Sequence, residues 1–234
     1  YAILLVLAAL QLTCAGALQL FARGTAPRPA PPHANGEPRP GMWSSLGTVT
    51  RTPLLRTAAA VVVLSAAGAG IIDYIFKADI SSGASKDDLL RALAVFYTIT
   101  NVITALVQIA VCGPIISRLG VPRSVATLPA TVTAFGIAAA AIPCPITSAI
   151  ARGAELVTRN SVYRAGYELL YAPLPEDHKR PTKVVIDVGA DKLGDIVGAQ
   201  IVGAVIYLVV DDRAGLLVAT LVVSIVTLWW ALRL

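Results

Sequence analysis

Apolar runs of about twenty residues recur along this chain, and no other feature restricts its folding so strongly. A segment needs roughly twenty mainly apolar residues to cross the ~30 Å hydrocarbon core of a bilayer. Stretches 1–22, 53–76, 89–112, 121–142, 146–172, 183–210 and 214–234 meet that length. Composition agrees: 56% of residues are hydrophobic and 14% charged, with a mean hydropathy of +0.72. A soluble domain is about a quarter charged, so a soluble protein is excluded, and so is a chain disordered for lack of apolar residues. The expectation is an all-α integral membrane protein.

Arg23–Thr52 separates the first run from the others. It holds Pro27, Pro29, Pro31, Pro32, Pro38 and Pro40 with Gly24, Gly36 and Gly41, a composition that builds linkers and not cores. Three parts are therefore expected: a transmembrane helix over 1–22, a Pro/Gly-rich cytoplasmic linker over 23–52, and a six-helix transmembrane bundle over 53–234. The apolar start, Tyr1–Leu20, has no basic region before it and reads poorly as a signal peptide. Gln11 and Thr13 do not fit the residues that precede a lipoprotein cysteine, so Cys14 reads poorly as a lipid anchor.

Net charge is +5. The basic residues mostly flank apolar runs, so they speak for orientation in the membrane and not for nucleic acid. With seven spans, one side receives Arg23, Arg28, Arg39, Arg51, Arg56, Arg118, Arg123, Lys179, Arg180, Lys183 and Arg233. The other side receives Lys77, Lys86, Arg91 and Arg213. The positive-inside rule makes the richer side cytoplasmic. Tyr1 then lies outside, and the linker and C-terminus lie inside. Cys14, Cys112 and Cys144 stand singly, and His33 and His178 fall in loops, so no disulfide framework, metal site or cofactor motif is expected. No nucleophile–base pair or phosphate-cradling glycine loop is present, and an enzyme is not expected.

One helix, a long linker and six helices resemble the second half of a twelve-helix major facilitator transporter. Run 1–22 would be the last helix of a missing N-terminal six-helix half. Segment 113–123 resembles the facilitator loop signature G-x-x-x-D-R-x-G-R-R, with Gly113, Arg118 and Gly120 at matching offsets and Ser117 where the signature has aspartate.

Several spans carry polar groups. Tyr97, Asn101, Thr104 and Gln108 fall within about 60° of one another on a helix. They could hydrogen-bond between helices or line a wet substrate path. Span 146–172 holds Arg152, Glu155, Arg159, Arg164 and Glu168. Facing lipid, each would cost several kcal/mol, so they face protein or water. Arg152, Glu155 and Arg159 share about 60° of arc, with Glu155 four residues before Arg159, the favourable order. Arg164 and Glu168 form a second pair. These groups are either structural ion pairs or a substrate site or gate. Span 183–210 opens with Lys183, Asp187, Asp191, Lys192 and Asp195. Asp195 sits about 18 Å along the helix from Lys183, near the depth of Arg159. Pairing of Arg159 with Asp195 or Asp191, and of Arg164 with Asp187 or Asp191, is expected. Asp73 and Lys77, four apart at the outer boundary, form an interfacial ion pair or an outer gate.

Asn160–Asp195 resembles a stretch of the ATP/ADP antiporters of plastids and obligate intracellular bacteria. Matching residues are Glu168, Tyr171, Pro173, Leu174, Lys179, Lys183, Asp187 and Gly194; Tyr167 stands where the family has lysine, and Asp195 where a basic residue is common. The resemblance implies a divergent bacterial member in the inner membrane. It would work by alternating access and exchange nucleotides or another organic anion, with Arg159 and Arg164 on the anion and Asp187, Asp191 and Asp195 in gate pairs or proton sites. A transport-dead module serving as sensor or scaffold for fused soluble domains is the other reading.

Overall fold

The structure, a computed structural model, describes residues 49–172, 182–209 and 212–234, with 11–13, 16, 19, 47 and 179, and from Pro53 onward the described residues form ten helical segments, two of them single π turns. No strand occurs among the described residues. The chain divides into two units, Tyr1–Arg39 and Pro40–Leu234. In the first, the few described residues are helical; most of run 1–22 and of the linker lies outside the described residues.

In the second unit, α1 is Pro53–Ser81, α2 Lys86–Ala110, α3 Cys112–Leu119, α4 Val121–Ala141 and α5 Pro145–Thr158. A π turn, Arg159–Tyr163, joins α5 to α6, Arg164–Leu170. A second π turn, Val185–Ala190, leads into α7, Asp191–Leu208, and α8 is Asp212–Ala231. Helices α1, α2, α4 and α8 are long and apolar enough to cross a membrane.

Local chemistry sets the boundaries. Proline opens α1, α4 and α5, where its missing N–H costs nothing. Ser85 caps α2 by accepting from the Asp88 N–H, and Asp87 and Asp88 face the positive end of the helix dipole. The facilitator-like segment, expected as a loop, is instead the short helix α3. Gly120 stops it at φ +76° and ψ 171°, a conformation open in practice only to glycine.

The bundle is apolar outside and polar at its seams. Leu90, Val95, Ile99, Leu106 and Ile109 of α2 are exposed, and the only buried residues of that helix are Thr100 and Thr104. Thr104, Ser124, Thr220 and Thr227 point inward and donate to carbonyls four residues back. That inversion suits lipid, where apolar surface needs no shelter and small hydroxyl residues let helices approach. Just past α8 the Arg233 guanidinium stacks on Trp229, 3.4 Å from the ring centroid, a pairing of cation and aromatic face.

Helix α1 is central, packing against α5, α7 and α8, while α4 packs against α5, α6 and α8. Its tightest contact is with α7. A Cβ on Gly194 would stand 2.4 Å from the Val63 carbonyl oxygen, and one on Gly198 would stand 2.8 Å from that of Ala67. These two glycines, one turn apart, let the backbones of α1 and α7 touch.

Candidate functional site on α1, α5 and α7

Of the five ionisable residues of span 146–172, Arg152, Glu155 and Arg159 face protein, while Arg164 and Glu168 are exposed. Glu155 is fully buried and accepts from Arg152 Nη1 at 2.6 Å and, through its other oxygen, from Arg159 Nε. Arg159 Nη2 donates to the Ser65 carbonyl of α1 at 2.7 Å. Arg152 Nη2 lies 3.0 Å from Asp73, whose second oxygen holds Lys77 at 2.6 Å. A chain of alternating charge thus runs from Lys77 to Arg159 between α1 and α5. Each buried charge has an opposite partner, as a low-dielectric interior demands. The Asp73–Lys77 pair and the Arg152–Glu155–Arg159 cluster, separate in sequence, are one network.

A second polar set lies beyond the first π turn, on α6 and around the second π turn. Tyr163 and Tyr167 stack with centroids 5.9 Å apart, and Tyr171 meets Tyr167 edge-on at 5.2 Å. The Tyr167 hydroxyl donates to Asp187 Oδ1 and lies 2.6 Å from that of Tyr171. Lys183 bonds Glu168 and lies 4.0 Å from Asp187. These pairs bridge α6 to the second π turn.

The expected pairings need correction. Arg159 pairs with Glu155 of its own helix, not with Asp195 or Asp191. Asp195 pairs with Lys192 at 2.7 Å, both exposed. Glu168 takes Lys183, and Arg164 is exposed and makes no ion pair among the described residues. The reason is packing: α5 and α7 both lie on α1 with at most a marginal contact between them, so a side chain one turn away on its own helix is closer than one across the gap. The sequence-expected stripe on α2 divides in the same way. Thr104 is buried, Tyr97 half-buried and Asn101 exposed. Gln108 Nε2 reaches the Asn160 carbonyl at 2.8 Å.

That carbonyl belongs to the first π turn. A π turn widens the helix by one residue and loosens its carbonyl register, and such turns often sit at functional sites. Here one starts at Arg159 and the other ends just before Asp191. Helical periodicity cannot reveal them, and the tyrosine row they position went unread in the sequence. Arg213 and Asp79 were also missed as partners: they form a two-point pair, 3.1 and 2.8 Å, between the start of α8 and the end of α1. Gly113 and Arg118 lie on α3 and Gly120 at its end, with Arg118 exposed.

Helix α1 thus carries α5 on one side and the second π turn and α7 on another, and the Tyr167–Asp187 and Glu168–Lys183 pairs tie α6 to residues 183–187. Set against known protein families, curated proteins and solved structures, the chain matches none.

Proposed function

We propose that this chain is part of a secondary transporter working by alternating access, with a major-facilitator-like six-helix bundle packing against a second such half. The observation that carries the reading is the Arg152–Glu155–Arg159 network, with Glu155 fully buried, packed between α5 and α1. Charged groups at that depth mark substrate and ion paths in membrane proteins, and transporters place such sites between their halves. The exposed Lys192–Asp195 pair on α7 supports it, because a charged pair on an apolar helix needs water or a polar protein face opposite. The apolar exterior of α2 supplies the lipid-facing side.

Under this reading Glu168–Lys183 and Tyr167–Asp187 are the inner gate, and Asp73, Lys77 and Arg152 brace the outer end. Exchange of nucleotides or another organic anion, in a bacterial inner membrane, is the substrate class that the family resemblance implies. The gate is tested by charge exchange. Glu168→Lys alone is expected to leave two lysines facing each other and to hold the inner end open, so that a cysteine placed at Arg159 is labelled faster from the cytoplasmic side. Adding Lys183→Glu restores the attraction and is expected to return labelling to the parent rate. Equal labelling in parent, single and double variants would contradict a gate at this pair.

A further inference from the structure

We infer that one water molecule is held inside the bundle where α1, α4 and α8 meet, bound by the Ser65 and Ser224 hydroxyls and by the backbone carbonyl that Pro129 leaves free. The inference is independent of the transporter reading.

The junction contains a small cavity. Leu64, Ser65 and Gly68 of α1, Leu128, Pro129 and Val132 of α4, and Ser224 and Thr227 of α8 line it, one turn from each helix. The space open to a water's centre is about 10 Å³, close to the least that holds a single water. Apolar cavities stay empty, whereas a polar one of this size takes a water when it offers two to four hydrogen-bonding partners.

The lining supplies those partners. Thr104, Ser124, Thr220 and Thr227 each donate to the carbonyl four residues back. Ser65 does not. Its Oγ is buried, on a residue 8% exposed, and has no hydrogen-bond partner among the described residues; the Tyr163 hydroxyl beside it lies outside normal hydrogen-bond geometry. Ser224, 3% exposed, likewise makes no side-chain hydrogen bond among the described residues. On the third wall Pro129 sits inside α4 and has no N–H to give the Val125 carbonyl four residues back. Val125 has no exposed surface, and Thr127, Thr131 and Thr133 of the same helix donate elsewhere.

In the hydrocarbon core a carbonyl freed by proline is satisfied by a neighbouring hydroxyl or an ordered water. A single water suits all of these groups. It accepts from Ser65 and Ser224, and it donates to the Val125 carbonyl and to Thr227 Oγ1, whose own hydrogen goes to Val223. A sodium ion suits them less. The lining oxygens are all neutral, and the Arg159 guanidinium already sits on the Ser65 carbonyl at 2.7 Å.

The test is thermal unfolding, in lipid nanodiscs, of the protein expressed from its complete gene. A buried hydroxyl without a partner costs stability, so in a dry cavity Ser65→Ala and Ser224→Ala would leave the midpoint unchanged or raise it. With the water in place each variant loses a hydrogen bond, and the midpoint is expected to fall by about 2–4 °C. Alanine is the better helix former, so a fall cannot come from the helices themselves. The double variant is expected to lose little more than either single one, because the water departs with its first partner. A density map of the parent fine enough to show ordered waters is expected to carry a peak within hydrogen-bonding distance of both hydroxyls. Unchanged or higher midpoints in the single variants, additive losses in the double, or a map without that peak would overturn the inference. A midpoint raised by sodium chloride but not by choline chloride would identify a cation in the cavity and overturn it as well.

Discussion

Glu155→Leu is expected to remove most of the folded protein. Glu155 has no exposed surface and is the counter-ion of both Arg152 and Arg159. Asp73 can still serve Arg152, but Arg159 is left with backbone and spare donors only. Removing one partner of a buried ion pair costs about 3–5 kcal/mol, set against total stabilities of about 5–15 kcal/mol. Glu155→Gln keeps an acceptor of the same shape without the charge, and its loss is expected to be smaller. The double variant Glu155→Leu with Arg159→Leu removes the stranded cation and is expected to be more stable than Glu155→Leu alone. Thermal unfolding in detergent ranks the three. A Glu155→Leu protein as stable as its parent would mean the arginines are solvated and the network is not buried.

Gly194→Leu is expected to separate α7 from α1. Even the Cβ of alanine would meet the Val63 carbonyl at 2.4 Å and the Ala66 Cβ at 2.5 Å. Both are parts of a packed helix and cannot swing aside as a flexible side chain can. Overpacking costs about 1–3 kcal/mol or more, so Gly194→Ala is expected to fall in that range and leucine beyond it. Gly203, on the same helix, has nothing within 4 Å of the corresponding point. Gly203→Ala is therefore expected to be neutral or slightly stabilising, since alanine is the better helix former. Unfolding midpoints of the three variants decide the matter. Equal effects at 194 and 203 would contradict the close α1–α7 contact.

Much of this architecture is legible in the sequence, for physical reasons. Length and apolarity mark a crossing helix by themselves, and the helices from Pro53 onward start and end within a few residues of the runs. Span 53–76 continues to Ser81 because nothing after Lys77 breaks it. That the charges of 146–172 must face protein or water also follows from the cost of putting them in lipid. Their partners do not follow. Helical spacing correctly joined Glu155 to Arg159 and Asp73 to Lys77, since neighbours on one helix are fixed by its pitch. Across helices spacing is silent: depth alone suggested Arg159 with Asp195, and the gap between α5 and α7 forbids it. The paired glycines of α7 are visible in the sequence, but only packing shows that α1 lies on them. The π turns leave no periodic trace, because one added residue per turn resembles ordinary helix in any short window.

Transport is the central claim, and uptake tests it most directly. The protein expressed from its complete gene would be reconstituted into liposomes and offered labelled amino acids, ATP, ADP and simple organic acids, with and without the same solute inside. The account predicts saturable uptake of at least one class, faster when unlabelled solute waits on the far side, and abolished by Glu168→Lys and restored by adding Lys183→Glu. No uptake of any class by protein shown to be folded and inserted would contradict it.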